Sequence, residues 1–295
     1  MMYDYIIAGS GPAGALAAYY LSLDGAKCII LEAQQKRKEK ICGGLLTWSG
    51  IELLKKMKLD VSELTEMGGK IIHHFILIRN GISEVHSYKN NEFALGIQRI
   101  HFDNWLVEHA VMCGAEIKYN SRVHNYFING DICEINGYQG KNIIFACGAR
   151  GLVLPSQKLI VRKQSFGISA HIIGTSELRD DSVYFWYLND SRDYFWAIPI
   201  GGDRWNIGVW FEKPTFPMSL SIFEYYKKEY IDAVFDKYCY AIPPRGAFCG
   251  NADLSVSLPN KCFGLGDFAG NNICTSGEGL RYAIESAFEF VNKRK

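Results

Sequence analysis

No apolar run in the 295-residue chain approaches the roughly 20 residues that a bilayer-spanning helix requires. A spanning segment is therefore not expected, while contact with a membrane surface stays open. No cleavable leader is expected, because the residues after Met1 enter an apolar strand at once. Charge of either sign is not in excess, since 32 Lys and Arg against 31 Asp and Glu leave a formal +1. That balance excludes the strong general field by which a protein gathers nucleic acid, and the Lys36-Arg37-Lys38 run reads as a solvated loop. The nine cysteines include no Cys-x-x-Cys pair and no Cys/His ligand spacing. This argues against zinc and disulfides and for reduced thiols in a cytoplasmic compartment, most of them as small buried apolar side chains. There is no internal repeat and no low-complexity segment. What remains is 48% hydrophobic and 21% charged, enough to bury one large core or two modest ones.

The informative stretch is the first thirty-two residues. Tyr3 to Ala8 reads as a strand, Gly9-Ser10-Gly11-Pro12-Ala13-Gly14 as a phosphate turn, and the alanine-rich run beyond it as a helix. Gly9 permits the tight turn, Gly11 lets backbone approach a pyrophosphate, and Gly14 lets helix pack close to strand. The helix N-terminus then faces the phosphates, with Ala13 in the turn. A second apolar run ends at Glu32, where a carboxylate can accept from both ribose hydroxyls and would repel a 2′-phosphate; Ala33 follows it.

Beyond a polar stretch from Gln34 to Lys40, Cys42-Gly43-Gly44 implies close approach of backbone to something flat. Helices are expected from Ser49 to Met57 and from about Arg99, where Phe102, Leu106 and Ala110 recur at helical spacing. Lys70 to Ile78 and Ile82 to Tyr88, joined by Asn80-Gly81, read as a hairpin. Short strands lead to a buried one ending at Cys147-Gly148. Four aromatic-rich strands follow, Ser165 to Ile173, Ser182 to Leu188, Tyr194 to Ile200 and Trp205 to Phe211, forming a separate antiparallel sheet. A helix from Ser219 to Tyr230, a strand from Lys261 to Leu265 and a helix from about Gly279 complete the chain. The expected fold class is α/β: a Rossmann-type FAD-binding domain (1–69, 92–155 and 250–295) with an inserted antiparallel β-sheet substrate domain (70–91 and 156–249).

FAD rather than NAD is implied by a second motif late in the chain, Gly264-Leu265-Gly266-Asp267-Phe268-Ala269-Gly270 followed by Ser276-Gly277-Glu278-Gly279. Asp267 would meet the ribityl or pyrophosphate region, and the amides from Gly277 to Gly279 would bring a helix N-terminus to the flavin, favouring its reduced, negative form. No second Gly-x-Gly-x-x-Gly exists for a nicotinamide domain, so electrons are expected from docked NAD(P)H, a reductase or a ferredoxin.

These two motifs and the interposed Gln98-Arg99 helix resemble flavoproteins built like p-hydroxybenzoate hydroxylase. Lys40-Ile41-Cys42-Gly43-Gly44-Leu45 and Tyr194-Phe195-Trp196-Ala197-Ile198-Pro199-Ile200-Gly201 resemble segments of the geranylgeranyl reductase family within them. The resemblance implies that Gly9, Gly11, Gly14 and Glu32 hold the ADP half, that Arg99 reaches the dinucleotide, and that Gly148, Gly266 and Asp267 serve the middle. Gly43, Gly44, Gly277, Glu278 and Gly279 would surround the flavin, with Cys42 facing substrate either as a redox or proton-relay group or as a wall residue. Tyr194 and Trp196 share one strand face, to line the substrate cavity or to fill the sheet core. Three departures stand out: Cys147 replaces an acid, Cys274 replaces a proline, and the chain stops one helix after the late motif. The last leads to the expectation of an open apolar site lined by Tyr184, Phe185, Trp186, Tyr194 and Trp196, suited to a hydrophobic, carrier-presented or membrane-held substrate. The implied activity is reduction of isoprenoid carbon-carbon double bonds. The alternatives are a monooxygenase or halogenase on an aromatic, carrier-bound or peptide substrate, with Lys70 the one candidate halogenase lysine, and a nonenzymatic flavin module.

Overall fold

A computed structural model describes residues 1–35, 38–148, 160–188, 191–212, 220–253, 258–270 and 278–294. In chain order the elements are β1 (Met2–Ala8), α1 (Pro12–Leu23), β2 (Cys28–Leu31), β3 (Leu45–Leu46), α2 (Trp48–Lys56), α3 (Ser62–Glu66), β4 (Lys70–Ile72), β5 (His74–Arg79), β6 (Ile82–Ser87), β7 (Ala94–Gly96), α4 (Arg99–Met112) and β8 (Glu116–Lys118). There follow β9 (Phe127–Asn129), β10 (Ile132–Ile135), β11 (Tyr138–Phe145), β12 (Ile160–Ser176), β13 (Ser182–Tyr187), β14 (Tyr194–Pro199), β15 (Arg204–Phe211), α5 (Leu220–Tyr230), β16 (Phe235–Asp253), β17 (Cys262–Gly264), a 3-10 turn (Gly266–Ala269) and α6 (Gly279–Asn292).

The first sheet runs β8-β2-β1-β11-β10-β9, with β17 also paired to β11. β8, β2, β1, β11 and β17 are parallel, so each ends on the same edge. Their side chains alternate: Ile6, Ile29, Ile143 and Phe145 enter one core, and Ile7, Ile30 and Ile144 enter another beneath α1, α4 and α6. Small residues let α1 sink between sheet and helices, and Ala13, Ala15, Ala17 and Ala18 are all buried. α6 returns from the far end of the chain to pack on α1 and α2.

The second sheet runs β16-β12-β15-β14-β13-β5-β6. It is antiparallel except for β13 beside β5, which are parallel. Two local expectations are corrected. The hairpin comprises only β5 and β6, because β4 leaves it to pair with β7 in a small sheet that also holds β3. The aromatic wall divides, because alternate residues of a strand face opposite ways. Tyr184 and Trp186 stack toward Tyr230 of α5, whereas Phe185 joins Tyr194, Trp196 and Trp210 on the other face. β16 has no counterpart in the sequence reading. It carries Pro243 and Pro244, tolerable because β16 is an edge strand, and the register against β12 slips there between Ser169↔Arg245 and His171↔Ile242.

Candidate functional site

Every parallel strand of the first sheet except β8 delivers a sequence motif to its C-terminal edge, the side on which open α/β sheets bind ligands. Gly9 follows β1, Glu32 follows β2, Cys147 and Gly148 lie just beyond β11, and Gly266 and Asp267 follow β17. The glycines show which way backbone and ligand approach. A Cβ on Gly14 would stand 2.1 Å from the Gly9 carbonyl oxygen, and one on Gly9 would stand 2.6 Å from that of Ala146. Gly11, by contrast, would meet nothing within 4 Å. α1 begins with Pro12, no side chain caps it, and its first turn holds no acid. An uncapped helix N-terminus facing open space beside a backbone with room for an anion fits the pyrophosphate of a dinucleotide.

Glu32 is held at the end of β2 by its own neighbours. One carboxylate oxygen accepts from the Ser10 amide at 3.1 Å and the Ser10 hydroxyl at 2.5 Å, and the other accepts from the Gln34 amide at 2.9 Å. Ala33, between the two anchors, is half-buried. Cys147 replaces an acid close to Glu32, and burial pushes its thiol up to about 12, so no second anion stands beside the Glu32 carboxylate. The late motif reaches the first one directly: a Cβ on Gly266 would come 3.2 Å from that of Ala13, and the Gly266 amide donates to Ser286 Oγ at 2.9 Å. Asp267 sits half-buried in the 3-10 turn. Glu278 stands at the N-cap position of α6, its side chain ion-paired with Arg281 at 3.8 Å rather than bonded to the helix amides, and Gly279 opens the helix. Gly277 and Cys274 lie outside the described residues.

The second group of residues gathers where the two sheets meet. Gly43 is seated against the aromatic face, where an added Cβ would meet Ile198 at 2.9 Å and the Trp196 indole nitrogen at 3.7 Å. Gly44, at φ +74°, would strike the Ile97 carbonyl at 2.4 Å. The close approach expected of this glycine pair is thus made, on these sides, to protein. Trp196 is buried over Gly208, and Tyr194 is half-buried against Trp210 and Phe185. Arg99 is 3% exposed, its Nε and Nη2 bound to Asp103 at 3.0 and 3.1 Å, and it lies within hydrogen-bonding reach of the Cys42 side chain. Burial opposes its charge, but Asp103 and Cys42 outweigh that and raise its pKa. Lys70 forms an ion pair with Asp180.

Other residues of this seam carried no motif. Glu39 caps α4 from outside, accepting from the Arg99 and Ile100 amides at 2.7 and 3.0 Å; burial raises its pKa. Asn206 of β15 donates to the Cys42 carbonyl at 2.6 Å and accepts from Trp196 Nε1 at 2.9 Å. His171 of β12 lies 3.1 Å from the Asn206 amide nitrogen, and Arg245 of β16 donates to the Glu39 carbonyl at 3.2 Å. The one signal in the sequence was a polar residue inside an otherwise apolar strand, as at His171 and Asn206. Among the described residues no group of His, Cys, Asp and Glu is placed to hold a metal ion, and no helix is long and apolar enough to cross a membrane.

Comparison with known proteins matches this geometry. A family model described as FAD binding domain matches residues 2–133. The digeranylgeranylglycerophospholipid reductase of Haloferax volcanii is 26% identical over 233 residues, covering 70% of this chain and 53% of that protein. The corresponding reductase 2 of Methanococcoides burtonii is 21% identical over 70% of this chain and 54% of its own length, so this chain spans about half of either reductase. Among solved structures, a geranylgeranyl bacteriochlorophyll reductase-like protein from Thermoplasma acidophilum superposes with a TM-score of 0.78 at 17% identity, covering 99% of this chain and 79% of that one. The halogenase PltM superposes at 0.79 and 19% identity, covering 99% and 69%. The chain thus carries an FAD binding domain in a p-hydroxybenzoate hydroxylase-like fold, with FAD as its cofactor, and it is similar to the geranylgeranyl reductases without the match reaching further than that.

Proposed function

We propose that the protein reduces carbon-carbon double bonds of an isoprenoid. The observation that carries this reading is the shared wall: the Cys42–Gly44 segment lies directly on the face formed by Trp196, Ile198 and, beside them, Tyr194 and Trp210. An apolar chain laid on that face would run along the same segment that borders the flavin. FAD, when bound and reduced, would supply the hydride, and an acid or water beside it the proton that completes the saturated bond.

The chain's own residues bind and orient. The unit formed by 1–69, 92–155 and 250–295 holds the cofactor, with Glu32 on the adenosine ribose, the α1 amides and Gly11 on the pyrophosphate, and Gly148, Gly266 and Asp267 along the middle. Gly43, Gly44 and the Gly277 to Gly279 turn flank the flavin. Arg99 acts through Asp103 and Cys42, holding the segment beneath the ring. The unit formed by 70–91 and 156–249 presents the aromatic face, and the Cys42 thiol, on the Arg99 side of its segment, holds or passes a proton beside the flavin rather than against that face. The protein works in the cytoplasm, taking substrate from a membrane surface or a carrier and electrons from NAD(P)H, a reductase or a ferredoxin. A halogenase reading gains nothing from Lys70, whose ammonium is engaged by Asp180.

The test is anaerobic reduction of the bound flavin with each donor class, followed by product analysis with polyprenyl and aromatic substrates. A polyprenyl product that has gained two hydrogens per bond reduced is expected. A hydroxylated or halogenated aromatic, with polyprenyl substrates untouched, would overturn the proposal.

A further inference from the structure

Asn206 is 1% exposed and meets three partners at the seam between the sheets. Trp196 Nε1 can only donate, so the atom it meets at 2.9 Å must be the amide oxygen. That choice leaves two N–H bonds for two neighbours, the Cys42 carbonyl at 2.6 Å and His171 Nε2 at 3.1 Å. The Cys42 carbonyl is an acceptor, and His171 Nε2 completes the set by accepting as well. All three bonds of the amide are then satisfied in one orientation and opposed in the other.

Two observations make this more than core filling. The segment it holds has little else on this side, because Gly43 presents no side chain to the sheet. And the opposite side of the segment is gripped independently: Arg99 reaches the Cys42 side chain, while Glu39 caps α4 and offers its carbonyl to Arg245. Cys42 is held between α4 and β15.

We infer that Asn206 is a positioning residue, which fixes the Cys42–Gly43 backbone and the Trp196 indole in one register; Trp196 and the Cys42 carbonyl set its amide orientation, and His171 accepts its second N–H and so completes the hold. The inference rests on the proposed function for one element, that the segment so fixed borders the flavin. Loss of the His171 acceptor leaves one N–H of the buried amide unpaired, and an amide so strained holds the Cys42 carbonyl and the Trp196 indole less firmly.

The test is iodoacetamide labelling of the FAD-loaded protein, with Cys42 followed by peptide mass and the flavin by its visible absorption. His171→Leu removes the acceptor, His171→Gln offers an oxygen in its place, and Asn206→Asp removes the donor to Cys42. His171→Leu and Asn206→Asp should label Cys42 about tenfold faster and shift the flavin bands, as loss of one buried hydrogen bond allows. His171→Gln should stay within about twofold of the parent, a rescue that simple packing would not give. Equal labelling of parent and His171→Leu, or equal gains for Leu and Gln, would overturn the positioning role. If Asn206→Asp does not fold, the His171 pair decides the question alone. Faster labelling with unmoved flavin bands would uphold the positioning and overturn the placement of the segment beside the flavin. No substrate enters the measurement, so its result stands apart from what the enzyme reduces.

Discussion

Glu32 and His171 show how differently two polar side chains reach their roles. The place of Glu32 was legible because it is local: the end of a strand about twenty residues past a glycine turn is set by the length of one helix. Its removal should weaken FAD binding by about 1–3 kcal/mol, the worth of hydrogen bonds to a charged group. Fluorescence titration of Glu32→Ala apoprotein with FAD measures this, and an unchanged affinity would show that the carboxylate serves only the Ser10 turn. His171 was not legible, since its partners come from a different strand and, through Asn206, from a segment 164 residues away. Burial, with the nearby charges of Arg204 and Arg245, lowers its pKa from 6.5 to about 4. An unfolded chain therefore takes up a proton below pH 6.5 that the native protein refuses until about pH 4. Stability rises with pH across that window and is lost as pH falls through it, by up to about 3 kcal/mol. Urea midpoints at pH 7, 5 and 4 should show this loss in the parent and a smaller one in His171→Gln. Parallel acid losses in the two proteins would assign the effect elsewhere.

β14 and β15 meet through an indole laid across a glycine. A Cβ on Gly208 would stand 2.2 Å from Trp196 Cζ2 and 2.4 Å from the Ile168 carbonyl oxygen, so neither side chain nor backbone has room to yield. Gly208→Ala should destabilise by about 1–3 kcal/mol, the ordinary cost of overpacking. A urea midpoint equal to that of the parent would mean that the indole can move. The aromatic strands themselves were readable from their composition, as was the first βαβ turn from its glycines. The division of Tyr184 and Trp186 from Phe185 followed from strand alternation and needed only that the alternation be applied. β16 could not be read in the same way. Pro243, Pro244 and Gly246 are strand breakers wherever both edges are bonded, and only its place at the border of the sheet makes them acceptable.

At the scale of the molecule, FAD is expected to lie against parts drawn from nearly the whole chain, from Gly9 to Gly279. A cofactor so held needs no covalent link, and acid precipitation should leave a yellow supernatant over a colourless pellet. FAD at one hundred times its dissociation constant should raise the stability of the apoprotein by about 2.7 kcal/mol, read as a higher melting temperature. A coloured pellet would point to a bond with a side chain, Cys42 first.

The return of α6 to α1, and of β17 to β11, also sets a timetable. During synthesis the first βαβ unit leaves the ribosome with its Ala-rich helix exposed on the flank that α6 will cover, and β11 emerges with no β17 beside it. Between Gly148 and Cys262 the ribosome must add β12 to β16 of the second sheet, which at about 5–20 residues per second takes on the order of ten seconds. The segment translated first is thus completed last, and through that interval its bare apolar flank is a natural client for a chaperone that recognises nascent chains.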